Sequence, residues 1–371
     1  MSSIQPNNAT PLEKNFEETG KARLDMVNSA VPSIRTAKHV TRPPSFLPFL
    51  VYEFGLGQLT PYVPNIYNLL DEGVRWQRLR GTYAGVAKGL SFLSLTATVI
   101  PAWSGREWWN SAQLNFNTLP ENDSPLLNRI EGITELSLPK RSDFRRGVHI
   151  YDAQPLECDG ACLDNSLLEF ESGTRIRQDG ALWSFGRVTE IEHVLTEEEG
   201  NAIGNWLAPT EEDGIKWTDM TYPWVTAAFL WASNPAAQRR SLLASWFADK
   251  RLFATLRDSN GDIIGHRACR AVWPVNEAVN GVYSFAGKSY RPDNGGQSVY
   301  IEALTEFDQV TAIIAASVEL TVGASLADGV PLGRSWLAVE ELIGGTPIAV
   351  AKVNLPLRHT VREQIKFHMR F

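Results

Sequence analysis

Cysteine is scarce: the 371 residues contain three, Cys158, Cys162 and Cys269. An odd, sparse set excludes a disulfide-stapled scaffold and fits folding in a reducing compartment. Long apolar runs are lacking as well, and no stretch approaches the ~18 residues that a membrane-spanning helix needs. The opening MSSIQPNNATPLEKNFEETG has neither a basic n-region nor an apolar h-region, so no cleaved secretion signal is expected. Positive charge is not in excess. The net charge of −7 argues against the basic surface of a nucleic-acid binder, although a local patch stays open. No phosphate-cradling glycine loop, dinucleotide fingerprint or metalloprotease histidine motif occurs. What is present is ordinary: 43% hydrophobic and 21% charged residues describe a soluble protein of two or three domains.

The chemistry-bearing fragments are weak. CDGAC places Cys158 and Cys162 close together, but zinc needs four ligands and no second Cys or His pair accompanies them. DSNGDIIGHRAC resembles a calcium loop in alternating Asp258, Asn260 and Asp262. It then offers Ile263 and Cys269 where such a loop requires glycine and a bidentate glutamate. GASLA at 323–327 lacks the closing glycine of a nucleophile elbow. Glu169 and Glu171 share a strand face without a second element opposite. The expectation is therefore no catalytic residue, no metal, no cofactor and no enzyme.

Patterning gives the organisation. Thr10, Pro11 and Glu13 form a capping-box start for a helix with Leu12 and Phe16 on one side, read as a docked amphipathic arm. PPSFLPFLVYEFGLG reads as a short buried helix closed by Gly55 or Gly57. Next, Pro64 starts a helix bearing Ile66, Leu69, Leu70 and Val74, which Gly81 ends; Thr82 caps a second with Tyr83, Val86, Ala87 and Leu90 in register. The period then changes to two in LSLTATVI, and strand, helix and strand follow to Ile150 as a small α/β layer. Beyond residue 152 the texture is β, with hairpins at Asp179-Gly180 and Asn260-Gly261, one helix near 235–252, and an alternating terminal strand, VREQIKFHMRF. The predicted class is α+β. Its parts are a helical docking region over 1–92, the α/β layer over 93–151, and a β-rich extension over 152–371 that could be sandwich-like.

Two groups of residues are singled out. The segment RWQRLRGT holds Arg75, Trp76, Arg78, Arg80, Gly81 and Thr82. A DNA-reading helix pair wants a polar second helix, whereas residues 83–93 are small and apolar. These arginines either solvate an outer face or pair with acids on a partner. Among twelve tryptophans, Trp217, Trp224 and Trp273 are candidate contact residues for a sugar or receptor, because aromatics bury much area at little entropic cost.

The pieces NATPLEKNFEETGKARL, PPSFLPFLVYEFGL, RWQRLRGTYAGVAKGLSFL and AQLNFNTLPENDSPLLNRIEGITELSLPKRSDFRRGVHI, in that order, resemble the tail protein I family of contractile-tailed bacteriophages, a baseplate wedge component. Arg78, Arg80, Gly81 and Thr82 match the family's basic-x-basic-Gly-Thr run, and Lys140, Arg141 and Ser142 its turn before a strand. The resemblance covers residues ~9–151 and says nothing of the extension. It implies a structural virion protein, assembled in the host cytoplasm. Its implied partners are larger wedge subunits, hub and sheath-proximal proteins, and a fibre or receptor-binding protein, with neither nucleic acid nor membrane insertion. Similar proteins occur in tail-like bacteriocins and type VI secretion baseplates. The alternative is a carbohydrate- or receptor-binding module carried by the extension. The terminal strand is expected to be open for sheet addition by a neighbour.

Overall fold

A computed structural model describes residues 5–28, 30–101, 110–150, 172–204, 206, 235–248, 250–307, 313–331 and 333–371. The chain divides into two compact units, residues 1–95 with 132–140, and residues 96–131 with 141–371. Helices build the first and strands dominate the second, which is the expected α+β class.

The first unit contains α1 (Pro11–Asn28), α2 (Ala30–Thr36), α3 (Leu47–Glu53), α4 (Ile66–Leu79) and α5 (Tyr83–Ser91). Local chemistry sets their ends. Thr10 and Glu13 form the reciprocal cap of α1, with Thr10 N donating to Glu13 Oε2 at 2.7 Å. Asn65 Oδ1 accepts from the amides of Tyr67 and Asn68 at the start of α4. The core gathers Leu47, Leu50, Leu56, Leu59, Leu69 and Leu70, all below 5% exposed. Each such leucine contributes roughly 1.5–3 kcal/mol. Two expectations fail here. The α1 arm does not dock through Leu12 and Phe16 on the described residues, for they remain 73% and 78% exposed. The α3 helix is only half buried: Leu47 and Leu50 face inward, while Phe49 and Tyr52 face solvent. A seven-residue helix has one stripe to bury, and here it carries more apolar side chains than that stripe can hold.

In the second unit β1 (Ala97–Pro101) pairs antiparallel with β2 (Ser111–Phe116), which lies parallel to β3 (Asp143–His149). The connection between β2 and β3 is α6 (Leu126–Ser137), so the expected strand, helix and strand form a parallel crossover. Later come β4 (Thr174–Arg175), β5 (Leu182–Val194), α7 (Glu197–Ala202), α8 (Pro235–Ala248), β6 (Leu252–Arg257) and β7 (Ile263–Glu277). The hairpin β8 (Tyr283–Phe285) and β9 (Lys288–Pro292) follows, then β10 (Ser298–Leu304) and β11 (Ile314–Val322). Short strands β12 (Ser325–Leu326), β13 (Trp336–Leu337) and β14 (Leu342–Ile343) precede β15 (Thr346–Pro356) and β16 (Val361–Arg370).

The main path runs β1-β2-β3-β5-β16-β10-β7-β6-β11-β15. From β5 onward the sheet curls over a core that includes Phe247, Leu252, Val299, Ile301, Leu320 and Phe367. At the far end β15 meets β5, where Arg187 donates to the Pro356 carbonyl at 2.9 Å, and α7, where Glu199 accepts from the Ala349 amide at 2.9 Å. The expectation of an open terminal strand is overturned. β16 is flanked on both edges, parallel to β5 and antiparallel to β10, so its ladder groups are already paired. Its polar alternation does not mark a solvent face either, for Arg362, Lys366 and His368 are buried. The β8–β9 hairpin helps to cover that side, with Lys366 Nζ donating to the Ser284 carbonyl at 3.1 Å.

Candidate functional site

The arginine segment is organised around Trp76, which is 2% exposed. Its indole N–H donates to Ser137 Oγ at 2.8 Å, and that hydroxyl donates to the Ile133 carbonyl at 2.6 Å. Arg80 lies over the Trp76 ring, 5.4 Å from its centroid, and its Nε donates to the Leu136 carbonyl at 2.8 Å. Gly81 donates its amide to the Ser137 carbonyl at 2.8 Å. Both groups thus satisfy carbonyls that the last turn of a helix leaves unpaired, and the guanidinium sits at the negative end of the helix dipole. Gly81 has φ +86, a conformation that a side chain disfavours. Thr82 accepts from the Gly85 amide at 3.2 Å and starts α5. Trp76, Arg80, Gly81 and Thr82 therefore direct their polar groups into their own unit.

Arg75 and Arg78 face outward. Arg75 pairs with Glu72 at 3.0 Å, its side chain 70% exposed. Glu72 also pairs with Lys88 of α5, and the Lys88 ammonium beside it, with Arg75, holds its carboxyl below the usual range. Arg78 is exposed and has no polar partner among the described residues. The same unit exposes Phe49 and Tyr52 of α3 by 65% and 89%, Tyr83 of α5 by about half, and the α1 pair Leu12 and Phe16. Scattered single exposures of this kind need no explanation, but five large apolar side chains are uncovered on one small helical unit.

The second unit carries a cleft of about 690 Å³ on adjoining strands β5, β16, β10, β7 and β9, with α8 at its margin. At its floor His368, 6% exposed, places Nε2 3.0 Å from Ser298 Oγ. Its ring lies 5.2 Å from that of Phe285 and 4.7 Å from that of Tyr290. Burial pushes the imidazole below its ordinary pKa, so it is neutral near pH 7. Glu192 and Arg370 pair at 3.0 Å on the β5–β16 side, and Glu277 and Lys288 at 2.7 Å on the β7–β9 side. Arg240 of α8 also borders the cleft and has no polar partner among the described residues.

Trp273, half-buried on β7, stands on the same strand face as Val275 and Glu277 and packs against the cluster of Tyr283, Phe285, Tyr290 and Tyr300. It thus borders the cleft's aromatic backing. Trp217 and Trp224 lie outside the described residues, as do Cys158, Cys162, Glu169 and Glu171. The calcium-like loop is a hairpin turn in which Asp258 Oδ1 accepts from the amides of Asn260 and Asp262. Among the described residues no three His, Cys, Asp or Glu side chains gather as a metal cage, and no helix is long and apolar enough to cross a membrane. The cleft itself was not foreseen, because its lining comes from segments dispersed between Glu192 and Phe371.

No curated protein matches the chain. Residues 5–132 of the 371 match the family described as Phage tail protein (Tail_P2_I), which supports a structural role in a phage tail.

Proposed function

We propose that the chain is a wedge subunit of a contractile-tail baseplate, or of a tail-like particle. In this reading it bridges larger wedge subunits and the fibre or receptor-binding apparatus, and docks near the hub and sheath. One observation carries the reading: the stretch matched to phage tail proteins includes α1 and α3, whose Leu12, Phe16, Phe49 and Tyr52 are uncovered. Such side chains gain roughly 25 cal/mol for each Å² of apolar surface that a neighbour removes from water. Arg75 and Arg78 supply the polar rim, and Trp76, Arg80, Gly81 and Thr82 hold the helices that present it. Co-expression of the full chain with a larger wedge subunit tests this. A stable complex that survives affinity capture is expected, and a chain that elutes alone as a monomer refutes it.

The extension supports a second reading, a carbohydrate- or receptor-binding module, on the strength of the cleft and the neighbouring Trp273. A glycan array probed with the full chain tests it; silence across the array leaves the extension purely architectural.

A further inference from the structure

We infer that the cleft of the second unit binds a short saccharide that bears a carboxylate. The inference rests on the carbohydrate reading and narrows it to one place and one class of sugar. A volume of about 690 Å³ lies within the ~300–1,000 Å³ typical of small-ligand sites. The floor belongs to β16 and β10, interior strands with partners on both edges, so a peptide cannot enter by adding a strand there. What the floor offers is side-chain chemistry: a neutral imidazole beside a serine hydroxyl, backed by aromatic rings. That combination suits a ligand with an apolar ring face and hydroxyls at its edge.

The flanks repeat one arrangement. On each side an exposed carboxylate and an exposed cation are already paired, Glu192 with Arg370 and Glu277 with Lys288. A vicinal diol can donate to the carboxylate and accept from the cation without breaking either pair. Such hydrogen bonds to ionised groups are about twice as strong as neutral ones. Beyond these two pairs Arg240 lines the cleft without a polar partner among the described residues, and its planar fork fits a carboxylate in bidentate geometry.

Saturation-transfer NMR on the full chain, with glucuronate and glucose as probes, tests the assignment. Transfer to both sugars is expected, with glucuronate titrating at least tenfold lower in concentration. Arg240→Ala should erase that difference while leaving glucose unchanged, and Arg240→Lys should restore part of it. Gln297→Trp, a bulky residue placed at an exposed lining position, should block both sugars at unchanged thermal stability. Equal affinity for the two sugars in the unmodified protein overturns the acidic-sugar inference and leaves the carbohydrate reading standing. Silence toward both probes overturns the two together. Undiminished binding by the Gln297→Trp variant, or displacement of glucuronate by tetraglutamate at equal concentration, also overturns the inference.

Discussion

Gly89→Ala sets two physical effects of opposite sign against each other in the frame of the helical unit. Alanine in place of glycine inside a helix favours the folded state by about 1 kcal/mol. In α5, however, a Cβ at position 89 would stand 2.7 Å from Ser137 Oγ and 3.0 Å from Ile133 Cγ1. Ser137 cannot rotate away freely, since its hydroxyl is held between the Trp76 indole and the Ile133 carbonyl. Overpacking of this kind costs about 1–3 kcal/mol. If the serine is displaced, the buried indole N–H loses its acceptor at a further ~1–3 kcal/mol. The expected result is a net loss of about 3 kcal/mol. Urea unfolding followed by far-UV circular dichroism reads it, with amide exchange in α5 and the last turn of α6 locating it, because a two-unit chain need not unfold in one step. Combining Gly89→Ala with Ser137→Ala removes the clashing oxygen, so the pair should cost at least 1 kcal/mol less than the sum of the single changes. A Gly89→Ala protein as stable as the parent would mean that propensity wins and that the close approach is not a constraint.

Arg78→Ala should leave thermal stability within about 0.5 kcal/mol, as for a surface side chain without partners, whereas Arg78→Glu should weaken capture by a larger wedge subunit at least tenfold. Arg80→Ala should do the reverse, lowering stability by about 1–2 kcal/mol through the lost carbonyl bond and ring contact, and a thermal melt run beside the pull-down separates the two. Glu131 is fully buried and accepts from Arg177 Nε, Trp183 Nε1 at 3.0 Å and the Ala181 amide at 3.2 Å. Glu131→Ala should therefore cost about 3 kcal/mol in a melt monitored by tryptophan fluorescence. Burial depresses the pKa values of His266 and His368 in the folded protein, so the unfolded chain takes up protons first as pH falls. Stability should be level above pH ~7.5 and decline on acidification through the ordinary histidine value of ~6.5. Glu363, raised by burial, acts in the opposite sense at lower pH, so the melt series should run from pH 8 to 6. A Tm that does not fall over that interval would refute the argument.

Much of the helical unit is legible locally. Gly81 and Thr82 sit where their turn and cap chemistry directs, and the Asn260-Gly261 signal marks a real hairpin, whereas α4 starts at Ile66 under an Asn65 cap rather than at Pro64. The same is true of the switch from a period of 3.6 to one of two, although α5 reaches Ser91 and the strand begins only at Ala97. Long-range pairings escape such reading. Arg80 looks like a surface charge until Leu136, 56 residues away, proves to be its acceptor. The alternation in β16 suggests one wet face, yet a hairpin far earlier in the chain covers it, as the Lys366–Ser284 contact across 82 residues shows. A local signal was also passed over. Thr196 and Glu199 spell the capping box that starts α7. The cleft had no signature at all, since period-two patterning gives the face of each residue but not which strands become neighbours.

The place of β16 between β5 and β10 has a bearing on how the second unit reaches its native state. Two flanking strands from residues 182–194 and 298–304 wait for a third from 361–370 before either has its full complement of ladder bonds. Closure therefore spans the whole interval at once, and pairing over such a separation folds slowly. A fragment cut before Val361 would display two naked borders facing one another, ready to recruit the wrong strand from another molecule.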